Sequence, residues 1–459
     1  MSEGLEFGAG LPPWVLYPVT LLLIPFFAYQ FWRVNSIIAV FACFALAFRF
    51  IASAHHEVTY GQSPLGLSWN ALSSAGIFVL GLALIKSRYL LMKQMLPCYF
   101  LISVVIASGL ANREIPNIID VSVKFGYLVI MAISVYEGLG AIGFQRMTRF
   151  LLISFITPLL LQVLSIVLGV AKATEADGSV SYIGGYNHEA AFSVVLALGL
   201  FLAAFAISFA LWKRLAILAT FIGGIFIANY RTCMLAFFPM MVTLFNVDIV
   251  SRFSPRQRII IAIAMAGLSF AAVGGIAFTM QERFQDIPVL VERFDDLFKP
   301  QAEYTYEERK LLSGRPFIWA GYIDEYLEGG WLTYILGYGP DAWIGVRPAY
   351  AHNTLVSALY EYGVVGVIAF CALWITMFWA ALQAPPGARG KLVSAHIGFF
   401  LLNMATMPHW MLEGDILYGV ICGYTLFLMH GSQEAPPTAV QPMARPRVLR
   451  PRPNMLRAD

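Results

Sequence analysis

The sequence predicts an all-α polytopic transmembrane helical bundle, and three observations carry that prediction. Hydrophobic residues make up 59% of the 459 positions and charged residues 12%, a balance that leaves too little polar surface to cover a water-soluble chain of this size. Apolar runs of about 20 residues, the length that crosses a bilayer as a helix, follow one another with short polar breaks. The basic residues between those runs alternate from one connector to the next, as the positive-inside rule requires of a chain threading a membrane.

The runs suited to helices lie near 12–32, 36–52, 68–86, 95–111, 119–138, 149–170, 189–211, 215–230, 232–247, 258–280, 353–382, 393–408 and 412–430. Lys86, Arg88 and Lys93 follow the third run, Arg146 and Arg149 accompany the connector after the fifth, Lys213 and Arg214 follow the seventh, Arg252, Arg256 and Arg258 the ninth, and Arg389 and Lys391 the eleventh. These connectors belong inside; those at 53–67 and 171–189, poor in basic residues, belong outside. The alternation gives 13 spans, or 12 if one run is re-entrant. The acidic start, MSEGLEFGAG, with no small-residue cleavage pattern after the first run, predicts a retained first span. Residues 1–280 then hold helices 1–10, 281–352 a large outer loop, 353–430 helices 11–13, and 431–459 a disordered cytoplasmic tail rich in Pro and Arg.

Other readings fall away on composition. A net charge of +3 does not suggest nucleic acid. The five cysteines (Cys43, Cys98, Cys233, Cys371 and Cys422) stand singly in apolar segments and read as small hydrophobes, with neither a disulfide frame nor a zinc spacing. The outer loop is acidic, with twelve Asp and Glu against seven Lys and Arg. Within it, EERKLLSGRPFIWAGYIDEYLEG at 307–329 has apolar residues at helical spacing between charges, which predicts one or two amphipathic helices lying against the membrane.

Three residues on the outer side could carry chemistry. Arg231, in IFIANYRTCMLAFF, has apolar helix on either side, and an arginine there needs a partner or an anion. Its forked donors match phosphate oxygens and keep their charge when desolvated. Arg315 stands in the loop stretch LLSGRPFIW, and His352, with Asn353, where the loop gives way to a long apolar helix. Imidazole can take a proton from a hydroxyl near neutral pH, so two cations and a base suit a reaction on a phosphorylated, hydroxyl-rich substrate. Arg49, Arg113 and Lys124 also lie toward the outside and read as interfacial charges that could meet phosphate.

Four local patterns, in order, resemble the O-antigen ligase and polymerase superfamily of bacterial polysaccharide assembly. GYNHEAAFS (185–193) is similar to the family's asparagine-containing helix start, and NYRTCMLAFF (229–238) to its arginine-containing one, with Tyr230 and Thr232 replacing the usual small neighbours. SGRPFIWAGYIDEY followed by ILGYGPDAW (335–343) is similar to the arginine loop helix and its glycine-rich turn. AHNTLVSALYEYGVVG (351–366) is similar to the His-Asn motif with its downstream Glu and Gly. The resemblance implies a GT-C-like bundle with its site on the periplasmic face of the inner membrane. It also implies a glycosyltransferase that moves or polymerises glycan from an undecaprenyl-pyrophosphate donor to a glycan or lipid acceptor, with no cofactor and no metal. On that reading Arg231 and Arg315 neutralise the pyrophosphate, His352 serves the acceptor hydroxyl, Asn353 and Glu361 position the histidine and its helix, and Asn187 and His188 line the opposite wall. Two alternatives remain: an exporter of lipid-linked sugars, disfavoured by the lack of Asp or Glu in the middle of any expected span, and a shape-and-division type peptidoglycan polymerase, for which Asp324 or Asp341 would be the working loop aspartate.

Overall fold

The computed structural model describes residues 10–64, 66–173, 180–248, 250, 253–254, 256–264, 267 and 299–434. Most of the expected tenth span over 258–280, the opening of the outer loop at 281–298 and the tail over 435–459 lie outside those residues.

The chain runs α1 (Pro13–Trp32), α2 (Ile37–Ala54), α3 (His56–Thr59), α4 (Trp69–Leu84), α5 (Ser87–Leu90), α6 (Leu96–Asn112), α7 (Ile115–Ile142), α8 (Phe144–Ile153), α9 (Ile156–Val167), α10 (Glu189–Phe205), α11 (Leu211–Ile227) and α12 (Arg231–Asp248). After the loop come α13 (Arg315–Glu328), α14 (Trp331–Leu336), α15 (Thr354–Leu382), α16 (Pro386–Ala405) and α17 (Leu412–Glu434). A two-stranded antiparallel ribbon, β1 (Lys172–Ala173) with β2 (Val180–Ser181), precedes α10. The twelve expected runs other than 258–280 all fall on helices, and the bundle is all-α apart from that ribbon among the described residues. Seven helical segments are long and apolar enough to cross a membrane, and three shorter apolar ones (Trp69–Leu84, Glu189–Phe205 and Arg231–Leu244) stand with them.

Helices α7, α10 and α17 form the centre. Along α10 nearly every side chain from Glu189 to Phe205 is buried, so it reads as apolar all round rather than as a one-sided stripe. Helix α17 approaches α7 through Gly419 and Gly423, where an added Cβ would stand 2.7 Å from the Leu128 and Ala132 carbonyl oxygens. This small-xxx-small spacing lets two backbones touch in a solvent that offers no hydrophobic drive between helices. At the periphery the apolar side chains face outward, as Leu21, Leu22, Val79 and Val163 do, which suits a lipid surround.

The two ends of the bundle differ in charge. At one, Arg214 and Lys391 both donate to the Ala204 carbonyl oxygen, at 2.9 and 2.8 Å, and Arg149 reaches Ser208. These are basic residues of the connectors expected inside, and they sit where α10 ends and its dipole is negative. At the other end the last turns of α2 and the first turns of α4, α7, α10, α12, α15 and α17 converge, and there the polar groups with chemical potential collect.

Candidate functional site

Each of the three expected working residues follows or occupies a left-handed backbone position at a helix start. Asn229 (φ 56°) leads into α12, which begins at Arg231, and Gly314 (φ 77°) leads into α13, which begins at Arg315. His352 itself has φ 52°. A non-glycine residue there is uncommon and costs free energy, so the surrounding structure must hold it. Asn353 does part of that. Its Oδ1 accepts the Leu355 and Val356 N–H groups at 2.9 and 3.2 Å, capping α15, while its Nδ2 donates to the Met404 carbonyl at 3.1 Å and ties the cap to the end of α16. Thr354 adds a 2.6 Å bond to Asn403.

The loop helix α13 docks onto the start of α12. Arg315 Nη2 donates to Thr232 Oγ1 at 3.4 Å, which brings its first turn against the residue next to Arg231. Arg315 also bears on His352. Burial lowers the histidine pKa to about 4, and the charge of Arg315 and the proximity of His188 push in the same direction. His352 is therefore a neutral imidazole with a lone pair across the whole physiological range. Its ring lies 3.9 Å from that of Tyr350, tilted by 34°. Tyr350 in turn stacks on Trp410 at 5.5 Å and 17°, and Trp343 meets Trp410 edge-on. Tyr230 is buried, and burial raises its pKa together with that of Tyr350.

A cavity of about 740 Å³ opens beside this stack, and Tyr350, Trp410, Asn187 and His188 form one wall. Asn187 is held by Lys172, whose Nζ donates to its carbonyl at 2.6 Å. His188 caps α10, accepting the Ala190 N–H at 3.1 Å, and remains 48% exposed at the side chain. Arg49, Glu413 and Asn70, with Lys124 and Asp120 on α7, also line it, among mostly apolar side chains such as Leu67, Leu72, Ile115, Ile119 and Leu412. Arg49 pairs with Glu413 at 2.8 Å, both side chains about 5% or less exposed, and also bonds Asn70. Thus Arg49 and Lys124, which the sequence ranks as interfacial charges, lie in the cavity wall, whereas Arg231 and Arg315 do not line it. Arg113 takes a left-handed turn at the end of α6 (φ 63°).

Glu361 sits elsewhere. It is 3% exposed, and its Oε2 accepts the Asp341 N–H at 2.9 Å while Ser357 bonds Oε1. The glycine-rich turn is strapped across α15 by the bonds Tyr338 N–H to the Tyr360 carbonyl and Gly339 N–H to the Glu361 carbonyl, each 2.9 Å. Glu361 thus shapes the turn that carries Asp341 and leads on to Trp343 and Tyr350. Asp341 is itself buried, and desolvation raises its pKa against the opposing charge of Lys124. Asp324 accepts the Gln301 N–H at 2.6 Å. Both loop aspartates are committed to holding backbone or neighbouring side chains in place.

Sequence reasoning passed over Tyr350, Trp410 and the buried pair of His409 and Asp415, joined at 2.6 Å. The signal for the aromatics was weak: a Tyr two residues before a His, and a Trp just before the last span, are ordinary interfacial residues until packing brings them together.

Fold and site together define a multi-pass helical membrane protein with a polar, histidine-containing centre at one end of the bundle and a lipid-facing periphery. Residues 215–371 match the family model described as O-antigen ligase, which supports the resemblance of this segment to the O-antigen ligase and polymerase superfamily. The matched segment takes in Arg231, Arg315 and His352 and excludes Arg49, Lys124, Asn187 and His188. No curated protein matches the chain.

Proposed function

We propose that the chain is a glycosyltransferase of the ligase or polymerase type, working at the periplasmic face of a bacterial inner membrane on an undecaprenyl-pyrophosphate-linked glycan and a hydroxyl acceptor in cell-surface polysaccharide. The contact of Arg315 with the first turn of α12, beside Arg231, together with its influence on His352, carries this reading. Three segments far apart in sequence meet where a phosphorylated donor and a hydroxyl could be held side by side. The match of residues 215–371 to the O-antigen ligase family model supports a glycan ligase or polymerase.

In the reaction the anomeric C–O bond to the diphosphate breaks and a bond from the acceptor oxygen to the same carbon forms. Negative charge grows on the leaving diphosphate, and guanidinium groups at two helix N-termini oppose it. The acceptor hydroxyl donates its hydrogen bond to the neutral His352, which takes the proton as the new bond forms. The diphosphate stabilises the resulting imidazolium, reversing the effect that Arg315 alone exerts on it. The scheme uses no metal and no cofactor.

The test is a set of single variants, His352→Ala, Arg231→Ala and Arg315→Ala, each checked for membrane insertion and for surface polysaccharide by gel. Loss of polymer or ligated glycan in all three with insertion retained is the expected result. Wild-type polysaccharide from all three would end the enzyme reading.

A further inference from the structure

We propose that the pair His409 and Asp415, with the small chamber that His409 lines, binds one exchangeable proton and the water that delivers it from the outer side. The pair lies beyond residues 215–371 and takes no part in the transfer scheme, so the inference does not rest on that scheme.

His409 stands in the 3₁₀ turn Pro408–Trp410 between α16 and α17. Its ring is surrounded by those of Phe125, Phe370, Phe399 and Tyr418, with centroids between 5.2 and 6.0 Å away. Nδ1 meets Asp415 Oδ1 at 2.6 Å, and the two side chains are 4% and 0% exposed. Each keeps one further polar atom, His409 Nε2 and Asp415 Oδ2, that is buried without a hydrogen-bond partner among the described residues. Buried polar atoms are normally satisfied, and one left over marks bound water or a chemical role.

His409 lines a chamber of about 30 Å³, room for one or two water molecules. Its other polar lining includes Lys124 from α7, Asp341 from the glycine-rich turn, and Glu361 and Ser357 from α15. A sugar or a phosphate group is too large for this space, and the Lys124 ammonium makes it a poor place for a metal cation. Lys124 and Trp410 line both the chamber and the large cavity, so the two spaces share a wall. Water in the large cavity thus has a short way in.

Charge supplies the proton. Without one, the pair holds a full negative charge among four rings; with one, it is neutral as a whole. An uncompensated charge in such surroundings is strongly unfavourable, and a protonated imidazole is also attracted to ring faces. The titratable groups around the pair are Lys124 on α7, Cys98 on α6, Asp341 of the turn, Glu361 on α15, and Glu413 and Tyr418 on α17, with His396 on α16 behind Tyr418. Among these, the Lys124 ammonium already pairs with Asp120 at 2.6 Å, and Glu413 with Arg49 at 2.8 Å. In uptake, hydronium from the outer side passes its proton through the chamber water to His409 Nε2. One O–H bond breaks as one N–H bond forms, ordinary water is left, and the proton between Nδ1 and Oδ1 is shared with Asp415. Because Trp410 follows His409 and stacks with Tyr350, the charge of the pair bears on the aromatic stack beside His352. Loss of the proton as pH rises leaves the negative charge buried and loosens that turn.

The experiment uses the full-length protein in lipid nanodiscs with isotope-labelled histidine and tryptophan, read by solid-state NMR. The His409 signals are assigned through the His-Trp sequence, which occurs once in the chain. Exchange of the His409 ring N–H with heavy water within minutes is expected; a ring that has not exchanged after a day overturns the proposal. Titration of the same signals should show proton affinity falling about tenfold in Asp415→Asn, and equal affinity in the two proteins also overturns it. The exchange measurement is made on the wild-type chain, so it decides even where Asp415→Asn folds poorly. His352→Ala should leave both readings unchanged whatever it does to surface polysaccharide, so failure of the transfer reading and failure of this one are separable.

Discussion

His352 and Tyr350 lie ring against ring, with centroids 3.9 Å apart, although the backbone between them turns through a left-handed position at the histidine. The stack fixes where the imidazole points. Because Tyr350 also contacts Trp410 and lines the large cavity, it links the candidate base to that cavity.

Tyr350→Phe keeps the ring and is expected to keep turnover within a factor of two of wild type. Tyr350→Ala removes it and is expected to lower kcat about tenfold, corresponding to about 1.4 kcal/mol of lost orientation. Steady-state transfer assays on the purified enzyme check this, and equal losses in the two variants would assign the effect to the hydroxyl.

The pH dependence follows from the lowered pKa of His352, about 4. The working form is the neutral one, so a lowered value keeps it populated as pH falls below the usual histidine range, and transfer at pH 5.5 should remain close to that at pH 7. Modification of His352 by diethylpyrocarbonate, mapped by mass spectrometry, should show its midpoint near pH 4. Arg315→Gln removes one of the causes that lower the value, and the midpoint should move upward.

Arg315→Lys retains the charge and loses the fork. If two oxygens of a diphosphate are held at once, transfer should fall about a hundredfold with insertion unchanged. Near-normal polysaccharide on a gel from this variant would point to simple charge attraction.

Arg49 and Glu413 are a buried pair, and Glu413 also accepts from Ser53 at 2.6 Å. Glu413→Gln leaves an arginine without its counter-ion and should destabilise the folded protein by about 3–5 kcal/mol. Replacing both, Arg49→Met with Glu413→Leu, should cost less than the single change. Thermal unfolding in detergent compares the three proteins.

Gly363→Ala should reduce the yield of folded protein sharply. Gly363 breaks α15 at φ 64°, and an added Cβ would meet the Ile335 carbonyl at 2.4 Å; the facing Gly337 (φ 69°) would meet Glu361 at 2.3 Å. Neither backbone can yield without undoing the strap between the glycine-rich turn and α15, so Ala at either position should act alike in a fluorescence-detected size-exclusion assay.

Much of the fold was legible because its causes are local. Among the described residues, apolar runs of spanning length became helices with ends displaced by up to seven residues, the run at 149–170 dividing between α8 and α9, and Asn353 became a helix cap, the role its type and position encode. The helix starts at the three candidate residues were legible for a related reason: α12 opens at Arg231, α13 at Arg315 and α15 just after His352. Glu361 shows the limit. Its spacing from His352 placed it near the site, yet whether it faced the cavity or the turn depended on a helix break at Gly363 and on Ser357 and Asp341, which no period in the sequence reveals.

The sequence by itself determined that this is a helical membrane protein, where its helices run, and which motifs open them, since hydrophobic length, charge alternation and capping are properties of neighbouring residues. Only the tertiary structure decided that Arg49 meets Glu413 across 364 positions, that Tyr350 comes between His352 and Trp410, and that a large cavity lies beside them. Those contacts arise from which helix ends meet when the bundle closes, and packing between distant segments sets that geometry.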